Sequence, residues 1–410
     1  MAITTKHPAT APPEAPPREA TGHLLLRGWC TFVIFSALAG TGWRLALGDV
    51  GTAVLVAATV VVTVVLWLVL RPAIQWRRLP WVALAFVVWA ALPMIWSPDP
   101  ATAAVVWALL AAATVHAMFI AIALTWRDVV RTIASSLKWV IGLSIVFELA
   151  VAVFVGRPLL PGFVAAPEGA DPATFWSSGD FFGDSPLEGI VGDSGVLGAL
   201  MVLAIIVFVI RFVAGAPRRP VLLAWMVVAA FILVRSGSTV SLLAVAGVTL
   251  VLATVLLMRT AGHPGERTRF YQLYATAGIA GGAVVWIAFG DSLARAQGAW
   301  AQVFDHLGVV GVGVLALALL AFIWRAWFFA VDRPRYDLRA DRPYSPLALL
   351  PTLVGALLLV EGVAEPGGMM LWGWMLLVLL GAKIKQAPLI GVGPAEQSLA
   401  IERGEAVAGD

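Results

Sequence analysis

The sequence predicts an all-α polytopic membrane protein. It should have about twelve transmembrane helices, both termini in the cytoplasm and one long outward loop at about 156–189. Three observations carry this. Apolar residues make up 60% of the 410-residue chain and charged residues only 12%, about half the charged share of a soluble domain at roughly 25%. Mean hydropathy is +0.92. Finally, 22 of the 27 Lys and Arg residues fall on one side of a membrane once the apolar runs are read as spans, as the positive-inside rule requires.

The first 22 residues, with Pro8, Pro12, Pro13, Pro16 and Pro17, lack the apolar core of a signal peptide and read as a disordered cytoplasmic tail. A single transmembrane domain follows over 23–385, and 386–410 reads as a second disordered cytoplasmic tail. Lys6, Arg18 and Arg27 lie inside, Arg27 at the start of the first span (25–47), which ends near Arg44. The second (52–70) leads to Arg71, Arg77 and Arg78 inside. The third (80–96) goes out to Trp96, and the fourth (101–125) returns to Arg127 and Arg131. The fifth (132–155) carries Lys138, which can snorkel to the inner face, and Glu148, and emerges at Arg157. The sixth (190–212) returns to Arg211, Arg218 and Arg219. The seventh and eighth (220–234 and 239–258) are joined at Arg235 and form a tight or re-entrant hairpin; Arg259, Arg267 and Arg269 follow. The ninth (271–290) goes out to Arg295, and the tenth (307–329) returns to Arg325, Arg333, Arg335, Arg339 and Arg342. The eleventh (345–363) and twelfth (369–385) close the domain at Lys383 and Lys385, with Arg403 beyond.

Several function classes are excluded. A pI near 9.3 does not mark a nucleic-acid binder, because the basic residues are scattered between spans. There is no phosphate loop of the GxxxxGK type, HExxH, paired CxxC or recognisable Ser-His-Asp arrangement. No metal or cofactor is expected. The single cysteine, Cys30, cannot form an internal disulfide.

Candidate residues are the polar groups at membrane depth and the basic groups on the outer side. His116 is either hydrogen-bonded packing or a proton relay. Glu148 needs a partner in its span, with Arg157 two turns beyond as the expected one, and is either a structural clamp or a catalytic carboxylate. Glu361 and Glu365, four apart, share a helix face and either bind a cation or arginine, act as a base, or leave Glu365 in water before Pro366. Asp193 is placed to cap the sixth span. Arg235 precedes Ser236 and Ser238, either of which would cap the eighth span, and the amides there with Arg235 make an anion site. The outward loop is acidic and aromatic, with Phe163, Phe175, Trp176, Phe181 and Phe182. It folds back on the bundle or the lipid interface, with or without a ligand.

Several stretches, read together, resemble the O-antigen ligase and O-antigen polymerase superfamily. They are WSPDP (Trp96 to Pro100), SIVFELAVAVFVGRPLLP before the long loop, GIVGDSGVLGALMVLAIIVFV, VRSGSTVSLLAV, FGDSLARAQGAW, FDHLGVVGVGVLALAL and LLVEGVAEPGGMMLWGWMLLVLL, covering roughly 80–385. The resemblance implies an inverting, metal-independent glycosyl transfer at the outer face of a bacterial cytoplasmic membrane. The donor would be a glycan on undecaprenyl pyrophosphate, and the setting cell-surface polysaccharide synthesis with its assembly proteins. An anionic leaving group calls for arginines near the outer interface. Arg235 matches the family's basic-serine motif, and Arg295 its Gly-Arg motif with Ala294 in place of glycine. Arg157 and Trp176 would bind substrate, as would Glu148, Glu361 and Glu365. The family's second large outward loop, with its His-Asn pair, is missing: Arg295 and Gly308 are only 13 residues apart. Asp305 and His306 are what remains as a substitute base pair. Three functions stand open: a glycan ligase or polymerase, a non-catalytic relative binding lipid-linked glycan or assembly partners, and a transporter or lipid flippase using Glu148 and His116. Arg44 reads as an interface anchor.

Overall fold

The computed structural model describes residues 21–72, 74–167, 169, 171, 174–260, 265–274, 276, 298–331, 345–364 and 369–386. Most of both expected tails, most of the ninth span, Arg295 and Glu365 lie outside the described residues.

The fold is nearly all helix, with a two-stranded ribbon in the long loop. We label the helices α1 (Thr21–Leu38), α2 (Gly40–Leu70), α3 (Trp81–Ala91), α4 (Pro100–Ala123), α5 (Trp126–Ala150), α6 (Ser194–Val213), α7 (Arg219–Arg235), α8 (Thr239–Thr260), α9 (Ala299–Val331), α10 (Leu350–Ala364) and α11 (Trp374–Gln386). Residues 265–274 are also helical.

Seven helical stretches among the described residues, rather than twelve, are by themselves long and apolar enough to cross a membrane. They are Gly40–Leu70, Pro100–Ala123, Trp126–Val155, Ser194–Val213, Thr239–Thr260, Ala299–Val331 and Pro346–Val363. Of the other expected spans, the ninth lies mostly outside the described residues, the first runs from α1 into the start of α2, and the rest are short or broken. At 1.5 Å per residue, the 17 residues of α7 reach about 26 Å, below the roughly 30 Å of a hydrocarbon core. The chain lengthens such pieces with irregular turns. A 3₁₀ turn carries α3 on to Ile95, one π turn carries α5 to Val155, and another π turn precedes α11.

The first two expected spans form a hairpin that reverses inside α2. Helical hydrogen bonds run across the α1–α2 junction, from Ala39 N–H to Phe35 O and from Trp43 N–H to Ala39 O. The helix then breaks at Gly48 (φ 70, ψ 180), a backbone open to glycine because it has no Cβ. The arms on either side are antiparallel, since the Trp29 indole N–H reaches Thr63 Oγ1 at 3.2 Å. Gly308 (φ 66, ψ −170) makes the same break in α9.

Among the long apolar helices α6 and α10 are the most deeply buried, and α6 packs against α5, α7, α8 and α10. Gly198 permits close approach: a Cβ there would stand 2.5 Å from Ser241 Oγ and 2.9 Å from Ser236 Oγ. A second packing centre forms where α11 meets α4 and α9. Buried Trp374 donates to Thr114 Oγ1 at 2.9 Å and lies 5.0 Å from the Phe86 ring.

The bundle has two distinct ends, separated along α5 by about 30 Å from Asp128 to Glu148 at the helical rise. At one end His23 and Arg131 meet Asp128 (3.6 and 3.8 Å), and Lys383 donates to Ala121 O and Leu124 O (3.0 and 2.5 Å). Lys385 donates to Leu79 O there, and Arg259 to Ala330 O at 2.8 Å. The long loop, Glu148 and Arg235 gather at the other end.

Candidate functional site: a clamped cap and a cavity beside it

The long loop between α5 and α6 folds as a cap. Its ribbon pairs Leu159–Leu160 antiparallel with Val164–Ala165, and Leu159 also bridges to Ser177. Trp176 is the apolar centre. It is buried, 4.8 Å from both the Phe147 and Phe163 rings, and its indole N–H donates to Ile190 O at 3.3 Å.

Two ionisable residues fasten this cap to the bundle. Glu148, buried at the last turn of α5, accepts the Ser177 hydroxyl (2.6 Å) on one oxygen and the amides of Glu188 (3.1 Å) and Gly189 (2.7 Å) on the other. One turn earlier, Ser144 Oγ accepts the Ile190 amide at 3.3 Å. Arg235, at the end of α7, donates through Nη2 to the carbonyls of Ser185 (3.2 Å), Phe181 (3.3 Å) and Asp180 (3.5 Å). Its own carbonyl accepts the Leu187 amide at 3.0 Å. Thr41 adds a third tie, donating to Val191 O at 2.7 Å.

The expected Glu148–Arg157 pair is not made. Arg157 is exposed and has no ion pair or hydrogen bond among the described residues, because nearer donors of the cap already fill both Glu148 oxygens. Arg235 likewise faces cap carbonyls instead of an open anion site. Ser238, rather than Ser236, caps α8, its Oγ accepting the Ser241 amide at 3.2 Å; Ser236 is buried and donates to Leu233 O. Asp193 caps α6 through the Val196 amide at 2.9 Å. Within WSPDP, Asp99 caps α4 by accepting the Thr102 amide (3.1 Å) and hydroxyl (2.5 Å), contacts that hold its carboxyl below the usual range. In the cap, Ser185 does the same for Asp180.

Asp305 and His306 are exposed, one turn before the Gly308 break, and neither bonds the other. Glu361 is buried within α10; its expected neighbour Glu365 lies outside the described residues, as does Arg295. Arg157, Arg235 and Trp176 therefore belong to one end of the molecule, where Arg157 is exposed, Arg235 is bound to cap carbonyls and Trp176 is buried.

Glu188 is the cap's unusual acid. Burial, then the charges of Glu148 and Asp193, push its carboxyl up to about 7. Its Oε2 has no partner among the described residues. No group of three or more His, Cys, Asp or Glu residues able to hold a metal ion occurs among the described residues.

Beside the cap, α1, α2 and α4 enclose a cavity of about 170 Å³. His116 stands in its wall, buried and pinned by two threonines of α2. The Thr59 hydroxyl donates to Val56 O (2.8 Å), so its oxygen accepts from Nε2–H at 3.4 Å. Thr63 Oγ1 accepts the Trp29 indole N–H, leaving its own hydroxyl to donate to Nδ1 at 3.0 Å. These partners select the Nε2–H tautomer and account for His116 as packing.

Sequence reasoning missed Ser144, Ser177 and Glu188 in the cap, and Thr59, Thr63 and Trp29 around His116. Ser144 had a signal, since it lies four residues before Glu148 on one helix face. The others are brought together only by tertiary contacts. Comparison with known families, curated proteins and solved structures gives no match to this chain.

Proposed function

We propose that the protein is a non-catalytic binder of lipid-linked glycan in the cytoplasmic membrane of a bacterium, serving cell-surface polysaccharide assembly. In this reading both termini are cytoplasmic, and the cap faces outward at the headgroup level, where a glycan on undecaprenyl pyrophosphate presents its charge. The sorting of basic residues supports that orientation, and the motif resemblance supports the ligand class. One observation favours binding over transfer: the Arg235 guanidinium is engaged by three cap carbonyls. An arginine stabilising a pyrophosphate leaving group has to face that group instead. Arg157, exposed on the same cap, is a cation among the described residues that is placed to meet the phosphates.

The test uses purified full-length protein and an undecaprenyl-pyrophosphate-linked oligosaccharide, with bound lipid read by native mass spectrometry. Saturable binding is expected, weakened about tenfold in Arg157→Ala by loss of a charge-assisted contact, with no release of undecaprenyl pyrophosphate. Release that disappears in Arg235→Ala would replace this reading with the ligase or polymerase one. That second reading draws on the exposure of Asp305 and His306 beside the Gly308 break, which leaves an acid and an imidazole accessible to an acceptor hydroxyl. Neither reading uses a metal or cofactor.

A further inference from the structure

The cavity between α1, α2 and α4 has a chemistry of its own, separate from the cap. Its wall is mostly aliphatic, with Leu55, Val56, Leu109 and Met375 among the lining residues. No lining residue carries a carboxylate. Three donors line it nonetheless. Arg44 is exposed, and the Trp43 indole N–H and Ser36 hydroxyl are buried without a hydrogen-bond partner among the described residues. An unmet buried donor costs about 1–3 kcal/mol, so these two groups call for a partner beyond the described residues.

The hairpin orders these groups along the cavity. Trp43 and Arg44 lie just before the Gly48 reversal and Thr52 just after it, so they sit at its turn. Thr59 and His116 lie farther along α2 and α4, at a depth whose polar groups already have partners. Arg44 and the Trp43 indole are therefore at the turn end, while the Ser36 hydroxyl lies deeper among mostly apolar side chains. On its far side α2 faces outward: only 11% of its most apolar stretch is buried. In a membrane protein, that face meets hydrocarbon.

We propose that this cavity holds part of one acyl chain of an anionic phospholipid from the surrounding bilayer, with the phosphate at Arg44 and the Trp43 indole N–H. The size fits a segment of chain and not a whole lipid, since an apolar cavity of about 150 Å³ accommodates one benzene ring. The headgroup assignment follows from having donors and a cation with no opposing carboxylate, beside a tryptophan at the depth where indoles meet headgroups. The site does not depend on what the cap binds.

The experiment places the full-length protein in phosphatidylcholine nanodiscs doped with phosphatidylglycerol bearing a diazirine at the end of one acyl chain. After photolysis, labelled residues are mapped by mass spectrometry. Label is expected on the cavity residues Leu55, Val56, Leu109 or Met375. It should fall about fivefold in Arg44→Gln, the effect of one basic residue near an anionic headgroup. It should vanish in Ala113→Trp, where the indole fills the space, while label on exposed Val61 and Val65 stays constant in both variants as an internal control for folded protein. Label spread over the outer face of α2 and absent from the cavity would overturn the proposal. So would cavity labelling by a diazirine phosphatidylcholine as strong as by phosphatidylglycerol, or cavity labelling undiminished in Ala113→Trp.

Discussion

Glu148 shows how one side chain at the edge of a helix decides what a loop does. A carboxylate buried in a span is costly unless its lone pairs are filled, and here a hydroxyl and two amides fill them. Glu148→Leu leaves those donors unmet at about 1–3 kcal/mol each. Faster hydrogen exchange at the Gly189 amide is the expected sign, accompanied by a lower melting temperature. Glu188 adds a pH dependence. Its carboxyl titrates near 4.5 when free and at about 7 in the folded cap. Because the folded value is raised, the protonated form stabilises the cap. That contribution is complete below about 4.5 and is lost as pH rises through about 7. Protease cleavage within the cap should therefore quicken over that window, and Glu188→Gln should flatten the profile.

At the scale of elements, glycines set where helices break and how closely they approach. Gly192 ends the turn before α6 with φ +67, and a Cβ there would meet Leu45 Cδ1 at 2.1 Å and Trp176 Cδ1 at 2.8 Å. Gly192→Ala is expected to destabilise by about 1–3 kcal/mol from backbone strain alone, with the Trp176 fluorescence environment as the local readout. Gly198→Leu should separate α6 from α7 and α8, since the new side chain begins 2.5 Å from Ser241 Oγ; thermal unfolding in detergent would show it. Sequence reading placed these elements well where charges and breakers flank an apolar run. The reversal between the first two spans falls at Gly48, the tenth span begins at Gly308, and Asp193 caps α6. It did not show where helices give way to irregular turns, because hydropathy does not register 3₁₀ and π turns, which change the rise per residue.

For the whole molecule, the separation of the two ends is the property most open to test. Cys30 is the chain's single cysteine and is buried, so new cysteines report cleanly. Asp184→Cys in the cap should react with a membrane-impermeant maleimide on intact cells, and Arg131→Cys only after permeabilisation. The reverse pattern would invert the proposed orientation. Composition and hydropathy alone determined the membrane class and the helical class, because each depends on transfer free energies that add along a chain. The partners of Glu148, Arg235 and His116 were decided only by tertiary structure. A buried polar group takes whichever donor or acceptor packing brings nearest. For Glu148 that donor lies 29 residues away at Ser177, for Arg235 the acceptors lie 50 to 55 residues away in the cap, and for His116 they lie 53 and 57 residues away on α2. Distances of that kind along the chain leave no periodic trace in the sequence.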